Sequence, residues 1–250
     1  MWNSEVWIWM DFETPGILAD KDTWEPGILG IMVETKTELK YCCVILDEKL
    51  ENIANIYPEH CIYNPDLDFD LVLQHLSELD GFTEWVVDDP YHKSAFCWSD
   101  ADIRYFDHFF GHHWDGRTRS STYREDSKES FFGDTDIHCT NVLPNCKRLG
   151  RKMYGMKRPH SLERYFDLLD IEHPSGGKAS NIIRELKSNW WDPKWQISER
   201  DRVLARELVQ YNYYDCFGLR CVMSRLHQEA EEGTFFPNPD FLPHPDFSLD

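Results

Sequence analysis

Two carboxylates stand two residues apart near the start of the chain, where Asp11 and Glu13 end an apolar and aromatic segment. Side chains two apart on a β-strand point to the same face of the sheet, so both carboxylates can converge on one point. Hard divalent cations such as Mg²⁺ take oxygen ligands of this kind. The pair therefore predicts a metal site; two solvated acids ahead of the turn at residues 14–16 are the alternative explanation.

A tyrosine and an acid stand four residues apart near the other end of the chain, in the segment YNYYDC at residues 211–216. Residues four apart lie on the same face of a helix, so Tyr211 and Asp215 are expected to face one site. The surrounding helix face is apolar, and burying an unpaired charge is expensive. We therefore predict a metal ion as the partner of Asp215; a hydrogen bond to a core group is the alternative.

These motifs occur in an order that resembles a known family. A strand ending in D-F-E-T, an acid in the middle of the chain and a late helix bearing Y-N-x-x-D-C resemble the DEDD exonuclease superfamily, in the branch whose last motif carries Tyr. The chain is most similar to the ribonuclease-H-like domains that resemble the proofreading domain of family B polymerases. The resemblance spans about Trp7 to Leu226 and includes the segment HSLERYFDLLDI.

The resemblance implies an α/β fold of the RNase H-like type, with a mixed β-sheet flanked by helices. It also implies two divalent metal ions, Mg²⁺ or Mn²⁺, and hydrolysis of DNA or RNA from a 3′ end. Asp11, Glu13, Asp102 and Asp215 would bind the metals, and Tyr211 would orient the attacking water.

The middle motif departs from the pattern of the family, which often shows an Asn followed by Phe-Asp. Asp102 follows a predicted strand by one helical turn and matches relatives written W-x-x-x-D, so we take it as the fourth metal ligand. Asp107, which matches the other variant, and Asp100 are the alternatives. Asp134 and Asp136 are expected to be acids at a strand end, or else extra ligands.

The elements that must position these residues follow from hydrophobic periodicity. Residues 5–12, 27–34 and 38–46 predict a meander of three strands, and residues 93–98 and 134–139 predict two further strands. Helices are predicted at 66–79, 99–112, 141–153, 161–169, before residue 190, and from Ser198 to about residue 232. Ser161 and Ser198 are the candidate N-caps. The polar segment 116–132 predicts a loop.

The charge of the chain bears on its partner. The net charge is −19, whereas proteins usually bind the phosphate backbone through Lys and Arg. One segment is nonetheless basic, with the single acid Glu163 among Lys147, Arg148, Arg151, Lys152, Lys157, Arg158 and Arg164. We predict phosphate contacts by Arg151, Lys152, Arg158 and the loop residue Lys178; a solvated helix face is the alternative. Trp190, Trp191 and Trp195 form either a packed corner or a base-stacking surface.

Composition limits the class of protein and leaves two rival functions. No apolar run is long enough to span a membrane, the first residues do not resemble a signal peptide, and the eight cysteines form no C-x-x-C pair. We expect a cytoplasmic protein with one domain at residues 1–232 and a Pro-rich, partner-binding tail at 233–250. The rivals are a catalytically silent acidic protein that binds proteins or mimics nucleic acid, and a hydrolase based on His108, His112 and His113.

Overall fold

The computed structural model describes residues 7–15, 27–35, 38–67, 69–76, 93–99, 101–102, 105, 137–157, 161–171, 179–190 and 196–229. These residues form an α/β structure with a mixed β-sheet and helices. Many of the predicted features fall outside this part of the chain. They include the loop 116–132, the tail 233–250, the three clustered histidines, Asp100, Asp107, Asp134, Asp136, Arg158, Lys178, Trp191 and Trp195.

The sheet has six strands in the order β4-β3-β2-β1-β5-β6. They are β1 (Trp7–Glu13), β2 (Ile28–Glu34), β3 (Leu39–Ile45), β4 (Cys61–Tyr63), β5 (Lys93–Cys97) and β6 (Ile137–Asn141). The predicted meander is confirmed, because β2 pairs antiparallel with both β1 and β3. On the outer sides, β5 is parallel to β1 and to β6, and β4 is parallel to β3. Every residue of β2 is buried, as expected for a central strand.

Six α-helices have bounds within the described residues: α1 (Asn52–Ile56), α2 (Phe69–His75), α3 (Leu143–Tyr154), α4 (Leu162–Leu169), α5 (Ala179–Asn189) and α6 (Glu199–Glu229). Residues 101, 102 and 105 are also helical. The 31-residue helix α6 packs against β1, β2 and β3, and α3, α4 and α5 pack against α6. None of the described helices is both long and apolar enough to cross a membrane. Seven cysteines are free and buried: Cys42, Cys43, Cys61, Cys97, Cys146, Cys216 and Cys221.

Local capping sets the start of α6. The hydroxyl and the main-chain N–H of Ser198 both donate to the Asp201 carboxylate, at 2.8 and 2.9 Å, and the N–H of Asp201 donates back to the hydroxyl. Such a reciprocal pair satisfies main-chain donors that a helix start leaves without partners. The predicted start at Ser198 is confirmed. Ser161 also occupies the N-cap position of α4 with extended backbone, but its side chain makes no capping bond.

A buried ion pair joins the sheet to α6. Arg220 donates to both carboxylate oxygens of Glu34 on β2, at 2.9 and 2.8 Å, and the indole of Trp9 on β1 donates to the same carboxylate at 3.1 Å. Both charged side chains are fully buried. A bidentate Arg–carboxylate pair has a narrow geometry, so it sets the position of α6 over the two central strands.

Candidate metal centre

Three of the four predicted acids meet at one point. β1 places Asp11 and Glu13 on the same face, with the buried side chain of Phe12 between them on the other face. α6 crosses β1 and brings Asp215 to the same place. One carboxylate oxygen from each of Asp11, Glu13 and Asp215 lies within 4.8 Å of the other two. The arrangement can hold a divalent cation by its chemistry, because carboxylate oxygens are the ligands that Mg²⁺ and Mn²⁺ prefer.

The pKa values of all three acids are raised, and burial is the first cause in each case. Burial, with the charge of Asp102, raises the pKa of Asp11 to about 7. Burial and the neighbouring carboxylates of Asp11 and Asp215 raise the pKa of Glu13 well above its ordinary value. The pKa of Asp215 is also raised well above the usual range, by burial, then Asp11 and Glu163. These groups hold protons that a bound cation would displace.

Asn212 binds the first of these acids from α6. Its side-chain N–H₂ donates to the main-chain oxygen and to Oδ2 of Asp11, each at 3.0 Å. Its own oxygen accepts a hydrogen bond of 2.7 Å from the Tyr41 hydroxyl on β3. Asn212 and Tyr41 are both buried. Three elements, β1, β3 and α6, are therefore connected through one amide group.

Tyr211 lies one helical turn before Asp215, as predicted from the spacing. The two side chains are hydrogen-bonded, and this bond opposes the rise in the pKa of Asp215. Burial, followed by the charges of Asp215 and Glu13, raises the pKa of the Tyr211 hydroxyl. The hydroxyl therefore stays protonated over the physiological range and can donate a hydrogen bond at this site.

Asp102 lies beside the three acids but is held by its own helix start. The N–H and the hydroxyl of Ser99 donate to Asp102 Oδ2, at 2.8 and 2.9 Å, and the main chain of Phe12 also hydrogen-bonds to this carboxyl. Burial raises the pKa of Asp102 to about 6. Asp102 is not in the group of three whose oxygens lie within 4.8 Å, although its charge raises the pKa values of Asp11, Glu13 and Asp215.

The predicted substrate-binding residues are only partly described. Arg151 and Lys152 are exposed in the last turn of α3, and Arg158 and Lys178 lie outside the described residues. Trp190 is buried in the core, as the packed-corner interpretation predicts.

The sequence interpretation missed several residues that approach the acids. Asn212 and Tyr41 were not assigned a role, and Glu163 on α4 lies near enough to raise the pKa values of Asp215 and Tyr211. The signal for Asn212 was a polar residue between two tyrosines on an apolar helix. No comparable local signal marks Tyr41, because it stands 171 residues from Asn212 along the chain.

No family model, curated protein or solved structure matches the chain. The function of the site must therefore be inferred from its own geometry and chemistry.

Proposed function

We propose that the chain is a metal-dependent 3′–5′ exonuclease that hydrolyses phosphodiester bonds of DNA or RNA by a two-metal-ion mechanism. Its fold would be RNase H-like, and its motifs would place it in the tyrosine-type branch of the DEDD superfamily. The observation that carries the proposal is the convergence of Asp11, Glu13 and Asp215, whose carboxylate oxygens lie within 4.8 Å of one another.

The electrostatics of this group support a cation as the missing partner. Burial is the first cause of the raised pKa values of these three carboxyls, and repulsion by Asp11 adds to the rise for Glu13 and Asp215. In the described part of the chain, no Lys or Arg forms an ion pair with them. Protonation relieves this repulsion at low pH, and a divalent cation would relieve it where the carboxyls are ionised.

The fold agrees with the proposal at the level of architecture. A mixed sheet flanked by helices is what the resemblance implies, and the described elements have that form. The acids come from the end of β1 and from α6, which packs directly on β1. The resemblance assigned three of its four metal ligands to these two elements and the fourth, Asp102, to the segment that follows β5.

Each residue of the site has a role in the proposed reaction. Two divalent ions, Mg²⁺ or Mn²⁺, would activate the attacking water and stabilise the leaving oxygen. Asp11, Glu13 and Asp215 would hold them, and the carboxylate of Asp102, which Ser99 and the main chain of Phe12 hold in place, would complete the ligand set. The hydroxyl of Tyr211 would orient the water.

The substrate would be a single-stranded 3′ end that enters along the basic segment. Arg151 and Lys152 are exposed and can contact phosphates, and Arg158 and Lys178 are proposed for the same role. Binding of a protein partner by the tail at 233–250 and a cytoplasmic location remain predictions from the sequence.

A cleavage assay tests the proposal. Wild-type protein is incubated with 5′-labelled single-stranded DNA or RNA in Mg²⁺, Mn²⁺ or EDTA, beside Asp215→Asn and the control Asp66→Ala, which changes an exposed acid after β4. We expect a ladder that shortens from the 3′ end with metal only, is lost in Asp215→Asn and is kept in the control. Absence of cleavage by the wild type, or full activity of Asp215→Asn, would contradict the proposal and favour the silent acidic protein.

A further inference from the structure

We infer that Asn212 and Tyr41 are positioning residues, which together set the orientation of the Asp11 carboxylate for metal binding. The inference rests on the proposed function, because it assumes that Asp11 binds a metal. It assigns a role to two residues that had none: Asn212, within the Y-N-x-x-D-C motif, and Tyr41, on a strand that carries none of the predicted ligands. Their hydrogen bonds are connected in series, from the Tyr41 hydroxyl through the Asn212 amide to Asp11.

The orientation of the Asn212 amide follows from its partners. The main-chain oxygen of Asp11 can only accept, so the group that faces it must be the N–H₂. The amide oxygen then faces Tyr41, and the tyrosine hydroxyl must donate to it. A second acceptor near this hydroxyl, the main-chain oxygen of Val209, lies farther away at 3.4 Å. Tyr41 therefore holds the amide in the orientation that Asp11 requires.

The two bonds from Asn212 reach the main chain and the side chain of the same residue. A donor held between these two oxygens limits rotation of the Asp11 carboxylate relative to its own strand. The relative exposure of Asn212 is 0% and that of Tyr41 is 8%, so water cannot easily replace either partner. Groups that orient a metal ligand in this way typically change metal affinity by about 10- to 100-fold when they are removed.

Gly30 provides the space that the amide occupies. It is the β2 partner of Asp11 in the antiparallel ladder, so it lies directly beside the ligand. A Cβ atom on Gly30 would lie 2.1 Å from Asn212 Oδ1 and 2.8 Å from Cys216 Sγ. No side chain larger than hydrogen fits at this point without displacing the amide. The close approach of α6 to β2 thus depends on this glycine.

A matched pair of hydroxyl deletions tests the inference. Tyr41→Phe removes the bond to Asn212, and the control Tyr57→Phe removes a hydroxyl that donates to the main-chain oxygen of Arg202, also on α6. Mn²⁺ binding is measured by calorimetry without nucleic acid, and melting is measured in EDTA. We expect Tyr41→Phe to bind Mn²⁺ about 10- to 100-fold more weakly. Excess Mn²⁺ should restore its cleavage rate, and Tyr57→Phe should bind as the wild type does.

A double variant tests whether Tyr41 acts through Asn212. Asn212→Leu keeps a similar side-chain size and removes the donor, so Tyr41→Phe should weaken Mn²⁺ binding no further in its presence. Wild-type affinity in Tyr41→Phe, or additive losses in the double variant, overturns the inference and leaves the proposed function intact. If the wild type binds no Mn²⁺, both fail. Should one single variant fail to fold, the affinity of the other decides.

Discussion

Asp11 is the residue on which most contacts of the site converge. Asn212 donates to its carboxylate and main chain, Glu13 shares a hydrogen bond with it, and Asp215 lies within ligand distance of the same point. A carboxylate removed from water ordinarily has a cationic partner, because burying an unpaired charge is costly. The arrangement instead surrounds one half-buried acid with further acids, and this is the pattern expected where a metal ion completes the site.

Replacing this carboxylate should separate catalysis from stability. We expect Asp11→Ala to lower metal-dependent cleavage to the level seen in EDTA. Its thermal stability without metal should hold or rise, because the change removes one of several mutually repelling carboxylates and leaves the main-chain oxygen as an acceptor for Asn212. Circular dichroism and melting in EDTA are the measurements. A large loss of stability would favour a structural role for Asp11, and near-wild-type cleavage would exclude a catalytic one.

The hydroxyl of Tyr211 should act on the chemical step and not on substrate binding. Tyr211→Phe is expected to lower the single-turnover rate by about a hundredfold, because misplacing a reacting group by a small distance typically costs that much in rate. The affinity for an oligonucleotide, measured in Ca²⁺, should change little. Tyr214→Phe on the same helix is the comparison and should keep the wild-type rate. If affinity falls and the rate at saturating substrate does not, Tyr211 is a stacking or core residue. The water-orienting role would then pass to Tyr214 or His160.

At the scale of elements, α6 connects the site to the sheet. It carries Tyr211, Asn212 and Asp215, and it is also joined to β2 through the buried pair of Glu34 and Arg220. Arg220 lies on the same helix as Asp215, so the contact that holds α6 on the sheet also holds Asp215 opposite β1. Stability of this contact and geometry of the site are therefore linked.

The buried pair can be tested by removing one partner and then both. Arg220→Met should lower the free energy of unfolding by about 3 to 5 kcal/mol, because it leaves the Glu34 carboxylate buried without its cation. The double variant Glu34→Leu with Arg220→Met should recover much of the loss, since no charge is then left buried. Denaturation in urea measures both. Equal losses in the single and the double variant would show that packing, and not the unpaired charge, dominates.

At the scale of the whole molecule, the acidic site is expected to make stability depend on pH and, under the proposed function, on metal. The pKa of Asp11 is raised to about 7 and that of Asp102 to about 6, and those of Glu13 and Asp215 are also raised. The folded protein therefore binds more protons than the unfolded chain above about pH 4, where ordinary carboxyls ionise. Wherever the folded state binds more protons than the unfolded chain, the stability that these groups contribute falls as pH rises.

Melting temperatures measured at several pH values should show this dependence of stability on pH and its change when metal is added. In EDTA, these groups should contribute a loss of stability as pH rises from about 4 to about 7. Mn²⁺ should stabilise the protein more at pH 8 than at pH 5, because the ligands must lose their protons to bind it. Asp215→Asn should reduce both effects. A metal-induced rise in melting temperature that is equal at both pH values would contradict the coupling.

Local spacing was enough to predict much of the site. The period of two along β1 puts Asp11 and Glu13 on one face, and the spacing of four on α6 puts Tyr211 below Asp215. The start of α6 was equally local, because Ser198 and Asp201 cap the helix within four residues. Each of these features depends only on the regular geometry of one strand or one helix, which the sequence by itself determines.

Contacts between distant segments were decided only by the tertiary structure. β4 is three residues long and owes its place to pairing with β3, so no periodic pattern could predict it. The bond between Tyr41 and Asn212 joins residues 171 apart, and the pair of Glu34 and Arg220 joins residues 186 apart. Such contacts depend on how α6 packs across the sheet. Backbone periodicity does not specify which buried polar side chains then meet, because that choice is made by packing and by the need of each buried group for a partner.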